Sequence, residues 1–236
     1  MRPPPGQPAG QRDREDPTEV ERIRAVYAER DRAAGRRHPA IGLAYGRLAT
    51  ERRAATLALL REGAPAPRGR IVDVGCGSGS DLRHLRSSGW DADCLAGVDL
   101  VEDRVERARA ACPGVDIRLA EGASLPFRTA SFDAATAVTV LSSVRAPGMR
   151  RAIFAEMGRI VRPGGLIVVY DFVVRKPTNT AVVAMPLRRL AELGRPPDGS
   201  IRLSPLLQLV AAGELLGPRV GATVAAIAPR THRLSW

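Results

Sequence analysis

Asp73, Gly75, Gly77 and Gly79 alternate within Ile71-Val72-Asp73-Val74-Gly75-Cys76-Gly77-Ser78-Gly79-Ser80-Asp81-Leu82. The segment reads as a buried strand entering a glycine turn that opens a helix. A second apolar run, Leu95-Ala96-Gly97-Val98-Asp99-Leu100, places an acid 26 residues after Asp73. Glycines permit positive φ and let backbone approach a ligand where a side chain would collide. A carboxylate at the next strand end can accept from both hydroxyls of a ribose. The chemistry implied is the holding of a nucleoside at the carboxyl edge of a parallel sheet. The dinucleotide fingerprint is G-x-G-x-x-G. Here the third glycine falls one residue early and an acid precedes the loop. That pattern favours S-adenosylmethionine (SAM), which has no pyrophosphate to cradle, over NAD.

Four segments in order resemble the class I SAM-dependent methyltransferases of the small-molecule type. Val72 to Gly79 resembles their first motif, and Gly97-Val98-Asp99 their second. Ala120-Glu121-Gly122-Ala123-Ser124-Leu125-Pro126-Phe127 with Ser131-Phe132-Asp133 is similar to the adenine loop and fourth strand. Glu156 to Leu166 is similar to the helix-to-fifth-strand turn. The resemblance covers roughly residues 68–175 and implies SAM as cofactor and S-adenosylhomocysteine as product. It also implies roles. Asp73 receives the SAM amino group. Gly75, Cys76, Gly77 and Gly79 let the methionine tail lie on backbone. Asp99 holds the ribose and Leu100 packs on adenine. Gly122, Ala123 and Ser124 stand in the adenine-reading loop, which lacks the acid often found at Gly122. Ala137 and Val138 line the methionine tail. In similar enzymes an N-terminal tyrosine closes over SAM; Tyr27 and Tyr45 are the candidates, with Arg30 for the SAM carboxylate.

The acceptor side is less defined. Many relatives carry a His-His pair after the fourth strand, where this chain has Ser142-Ser143. Asp171, at the end of the fifth strand, and His38, between the first two helices, are the candidate bases for a hydroxyl acceptor.

Around these residues the chain alternates strands and helices. Strands are predicted at 70–74, 94–99, 115–119, 132–139 and 165–173, with helices at 79–87, 102–111 and 148–161. The fold class is α/β: a Rossmann-like, doubly wound, mostly parallel seven-stranded sheet with helices on both faces and an N-terminal helical lid. Residues 1–17 read as a disordered tail, 18–67 as the lid and 68–236 as the SAM-binding domain. Within the lid, Thr18-Glu19-Val20-Glu21 resembles a capping box that starts a helix to about Ala34. Gly35 to Gly46 reads as a loop, a second helix as about 48–61, and 63–67 as a linker. Beyond 175 the pattern suggests a helix at 182–193, a strand at 200–203, a helix at 205–216 and a strand within 220–235.

Composition narrows the partners. The net charge is +11, yet every basic residue except Lys176 is arginine and aromatics make up 4%. That profile suggests a GC-rich bacterial genome rather than a nucleic-acid surface, which would pair basic residues with stacking aromatics. No apolar run spans a membrane, the N-terminus lacks a secretory pattern, and three unspaced cysteines suit the cytoplasm and no metal. The function expected is methyl transfer to a small-molecule acceptor, at oxygen, in secondary-metabolite, antibiotic or glycan tailoring. An RNA methyltransferase and a SAM-binding cyclase-like enzyme are the alternatives, and a homodimer stays open.

Overall fold

A computed structural model describes residues 18–34, 39–173, 180–194, 198–205 and 230–235. The tail 1–17, His38 and the helix expected at 205–216 lie outside the described residues. Helix α1 spans Glu19–Ala34 and α2 Pro39–Gly63. Then follow β1 (Ile71–Val74), α3 (Ser80–Ser87), β2 (Leu95–Asp99), α4 (Glu102–Ala111), β3 (Asp116–Leu119) and β4 (Phe132–Val138). The rest is α5 (Pro147–Ile160), β5 (Val161–Phe172), α6 (Leu187–Ala191), β6 (Ser200–Pro205) and β7 (Arg230–Ser235).

The sheet order is β3-β2-β1-β4-β5-β7-β6. Strands β1 to β5 are parallel; β7 runs antiparallel to both β5 and β6. The order reverses between β1 and β4, and at such a switch point a crevice opens outside the strand ends.

Alternation along the strands sorts side chains to two layers. Val72, Val74, Ala96, Val98, Ala135 and Ala137 pack with Ile153, Met157 and Ile160 of α5 and with Ile23 of α1. Ile71, Leu95, Ile117 and Ala134 pack on the opposite face with Leu60, Leu82, Leu85, Val105 and Ala108 from α2, α3 and α4. The second face also receives Asp73 and Thr136. Their neighbours are therefore α2 and α3, a placement that decides the chemistry below.

Local signals explain the helix ends. The Thr18 hydroxyl accepts from the Glu21 amide at 3.3 Å, and Glu21 Oε2 accepts from the Thr18 amide at 2.8 Å, the reciprocal bonds of a capping box. Helix α2 starts at Pro39 rather than near 48. Proline suits a first helical turn, and Ala40, Ala44 and Leu48 bury at four-residue spacing, outweighing the modest helical cost of Gly42 and Gly46. Helix α6 is shorter than expected because Pro186 occupies its N-cap. Strand β5 starts four residues early, and its ladder with β4 shifts register between Phe132 and Ala134. The expected linker is packed: Ala64 is fully buried, and the Trp90 indole donates to its carbonyl at 2.9 Å.

Gly97 closes α3 onto β2. A Cβ there would lie 2.8 Å from Leu82 Cδ1, 2.9 Å from Cys76 Sγ and 3.1 Å from Cys76 Cβ. Gly97→Ala should therefore cost about 1–3 kcal/mol through overpacking, read as a lower midpoint of urea unfolding with unchanged slope.

Candidate functional site

The glycine turn between β1 and α3 is left-handed at all three glycines, with φ of 75°, 55° and 77° at Gly75, Gly77 and Gly79. Each has its own reason. A Cβ on Gly75 would strike Val140 Cγ2 at 2.5 Å, and one on Gly79 would meet Cys112 Sγ at 2.9 Å. A Cβ on Gly77 would have nothing nearer than Arg104 Nη1 at 4.0 Å. Gly77 faces a cleft of about 340 Å³ at the switch point, which Gly75, Cys76 and Gly77 line. Gly79 lies behind it, as the left-handed N-cap of α3.

Asp99 ties this turn to β2. It lines the cleft at 8% exposure. Its Oδ2 accepts from the Gly77 amide at 2.8 Å and its Oδ1 from the Val101 amide at 2.9 Å. Each oxygen keeps a second lone pair for a ligand hydroxyl. Asp99 thus shapes the turn and starts α4 as well as facing the cleft. Leu100 adds apolar wall beside it.

Asp73 is 3% exposed and also lines the cleft. Thr136 donates to its Oδ1 at 2.7 Å. Burial, then the charge of Asp81, push its carboxyl up to about 7, with the Thr136 bond and Arg52 acting against them. Asp81 accepts on one oxygen from Arg52 Nη2 at 2.9 Å and Arg53 Nε at 2.7 Å. Burial alone would raise Asp81, but the two guanidinium groups outweigh it and hold it below the ordinary range. Burial, with Asp73 and Asp99 nearby, drives the Cys76 thiol upward.

Helix α1 covers the cleft. Tyr27 lines it and shares a 2.8 Å hydrogen bond with the Ser143 hydroxyl, which donates to the Thr139 carbonyl at 2.8 Å. Arg22 donates to the Ser143 carbonyl at 2.6 Å. Asp31 binds Arg104 and Arg107 of α4. Arg104 lies 4.3 Å from the Tyr27 ring centroid and Arg30 lies 5.1 Å from it.

Several expected residues stand elsewhere. Arg30 does not line the cleft; it stacks on Tyr27 outside it. Gly122 lines the cleft with Ala120 and Glu121, while Ala123 packs into the core and Ser124 is turned to the surface. Val138 lines it, whereas Ala137 is fully buried on the α5 face. Asp171 requires correction as a base. It is 1% exposed and absent from the cleft wall, and its oxygens accept from the Ser142 amide at 2.9 Å and the Phe172 amide at 3.0 Å. Burial pushes it up to about 6. It anchors the 141–143 turn from beneath. Tyr170, alternating with it, faces α2.

Sequence reasoning missed Thr139, Ser143, Arg52 and the Asp31–Arg104 pair, all on the cleft wall. Thr139 has φ of 55°, a sparsely populated conformation for a β-branched residue that clusters at functional sites. No periodicity signals it. Among the described residues no cluster of three acids, histidines or cysteines could hold a metal, and no helix is long and apolar enough to cross a membrane.

A parallel sheet with a left-handed glycine turn and an acid after β2 at its switch point defines a Rossmann-like nucleoside-cofactor domain. Residues 72–169 match the family described as methyltransferase domain. An O-methyltransferase, cnsE, of Penicillium expansum is 32% identical over 139 residues, 56% of this chain and 48% of the relative. The 27-O-demethylrifamycin SV methyltransferase of Amycolatopsis mediterranei (strain S699) is 32% identical over 133 residues, 53% of this chain and 46% of the relative. The chain thus spans about half the length of these curated relatives. In structure, a SAM-dependent methyltransferase from Mesorhizobium loti superposes with a TM-score of 0.55 at 22% identity, covering 77% of this chain and 94% of that one. Residues 72–169 are thus similar to the methyltransferase domains of SAM-dependent enzymes, and SAM is the cofactor that this similarity implies.

Asp73 makes a pH prediction. Its folded pKa is raised, so the cost of ionising it within the fold is absent below the unfolded value near 4, grows as pH rises, and is complete above about 7. Without ligand, the stability of Asp73→Asn relative to wild type should rise between pH 4 and 7 and level off above. Urea unfolding across that range measures the difference. A constant difference would mean that Asp73 is not strained by its charge.

Proposed function

We propose that this protein transfers the methyl group of SAM to the hydroxyl of a small molecule. The observation that carries the reading is the open face of Gly77, flanked by the carboxyls of Asp73 and Asp99, in a cleft walled by Leu100. SAM fits that donor set. Its ammonium meets the buried Asp73, which gains by ionising next to a cation. Its ribose meets Asp99, and its adenine lies between Leu100 and the Ala120–Gly122 backbone.

When bound, SAM supplies a methyl carbon on a positively charged sulfur; an acceptor oxygen that takes it leaves S-adenosylhomocysteine and releases a proton. The chain's own residues mainly align and enclose. Tyr27, held by Ser143, closes α1 over the cleft and excludes water. Such positioning supplies much of the acceleration available to a displacement of this kind. Thr139, directly after β4, and Ser143, in the turn that follows, line the cleft near Val138, where an acceptor hydroxyl would be oriented. His38 remains the candidate base, since Asp171 is turned away. The O-methyltransferase names among the relatives support oxygen as the acceptor atom, and the rifamycin relative supports a setting in antibiotic or other secondary metabolism in a bacterium. The arginine-rich composition fits that setting and a cytoplasmic place. The charge pattern supports a small acceptor over nucleic acid.

Calorimetry with SAM, S-adenosylhomocysteine and NAD is the first test, followed by transfer of labelled methyl to a panel of hydroxylated metabolites. Micromolar binding of the two sulfur nucleosides but not NAD is expected. Label moving to RNA, or SAM surviving a reaction that consumes substrate, would replace the proposal by one of its alternatives. Asp99→Ala should weaken S-adenosylhomocysteine by about 3 kcal/mol, two hydrogen bonds to a charged group. Unchanged affinity in the folded variant would remove Asp99 from the ribose.

A further inference from the structure

Asp31 lies in the last turn of α1 and Arg104 in the first turn of α4. Each is misplaced in its own helix, because the C-terminal end of a helix disfavours an acid and the N-terminal end a cation. Their pairing accounts for both. Arg104 grips Asp31 through Nε, at 3.0 Å, and through Nη2, and Arg107, one turn further along α4, adds its Nη2 at 2.7 Å. The first contact is the two-pronged grip that a guanidinium gives a carboxylate. The Arg104 bond, with Arg107 beside it, holds the Asp31 carboxyl below its ordinary range, so it stays charged. All three residues line the cleft. Arg104 and Arg107 thus make a carboxylate site on the cleft wall, and one of the protein's own carboxylates fills it.

That carboxylate rides on the helix that covers the cleft. With α1 docked the cleft measures about 340 Å³, near the small end of the roughly 300–1,000 Å³ that one small-molecule ligand takes. A transferase admits two ligands, cofactor and acceptor, so α1 must lift to let the second in. Its hold suits such movement. Among the described side chains of α1 only Ile23 is buried. The rest of the grip is polar, from Arg22 and Tyr27 on Ser143 and from Asp31 on α4, and ion pairs this open to solvent are individually weak.

When α1 lifts, Asp31 leaves with it. Arg104, whose side chain is 18% exposed, then loses its counter-ion. The other acid near it is Asp99, whose two oxygens are engaged by the Gly77 and Val101 amides. A partly buried guanidinium without an anion is costly. An incoming carboxylate removes that cost, and a ligand that binds only with α1 lifted shifts α1 toward that state.

We propose that Arg104 and Arg107 recognise a carboxylate on the acceptor, with Asp31 as the internal stand-in that the acceptor displaces as α1 lifts. The proposal rests on the methyltransferase reading and narrows its acceptor to a hydroxylated acid. Neutral molecules leave Asp31 in place and α1 closed.

The test is NMR titration of the full chain with acetate at constant ionic strength, reading the arginine Nε–H signals. Acetate should bind Asp31→Ala about 10- to 100-fold more tightly than wild type, because the internal competitor and its charged hydrogen bonds are gone. The signals that move should be those of Arg104 and Arg107. Arg107→Gln added to Asp31→Ala should remove most of the gain. Asp31→Asn, which keeps the shape of the side chain, replaces the alanine variant if that fails to fold. No gain on removing the Asp31 charge would overturn the proposal. A gain that survives Arg107→Gln would place acetate elsewhere on an arginine-rich surface and overturn it too. Calorimetry of wild type with S-adenosylhomocysteine separates the two levels. Binding of that nucleoside without any acetate gain leaves the methyltransferase reading standing and this proposal refuted. Failure to bind it removes the reading, and the acceptor site with it, whatever acetate does.

Discussion

Asp73 stands on β1, an interior strand of the sheet, with almost no surface exposed, and a carboxyl group there is costly to ionise unless the surrounding fold compensates it. The compensation organises one face of the molecule. Thr136 on β4 donates to it from the neighbouring strand, Asp81 opens α3 beside it, and Arg52 and Arg53 bring α2 against both. Because Asp73 and Thr136 share the face that Ile71 and Ala134 share, these groups meet where the sheet ends and the cleft begins. An apolar residue at 73 would pack more easily but would leave the cleft without its buried anion.

The opposite side of the cleft is built by hydrogen bonds rather than charge burial. The turn after β4 is held from below by Asp171 and from above by Arg22 and Tyr27. Thr139, in its left-handed conformation, is held between them by a bond from its amide to the Tyr170 carbonyl at 2.7 Å. Helix α1 is fastened at both ends of the cleft, at Ser143 and through Asp31 on α4. Its fit over the site therefore depends on contacts from β4 and α4 at once. Asp171 and Ser143 illustrate how adjacent turns divide the work: the acid shapes the loop, and the hydroxyl of the loop faces the ligand space.

Much of this was legible in the sequence because it is local. The glycine turn, the capping box at Thr18, the alternation of strands and helices, and the acid after β2 all depend on residues within a few positions of one another. Gly35 to Gly46 misled because glycine lowers helix propensity, while the burial of Ala40, Ala44 and Leu48 against the rest of the fold is not a local quantity. Arg30 and Asp171 misled for a related reason. Their positions along the chain were right for ligand contact, but the rotation of α1 and the pleat of β5 turn them elsewhere.

By itself the sequence determined the order of the elements, the left-handed turn at Gly75, Gly77 and Gly79, and the pair of acids that marks a nucleoside cofactor, since backbone conformation and short-range spacing suffice for each. Only the tertiary structure decided which side chains face the cleft. Arg52 reaches Asp81 across 29 residues, Arg104 reaches Asp31 across 73, and Tyr27 reaches Ser143 across 116. Such pairings are set by helix packing and strand order, and no periodicity along the chain encodes them.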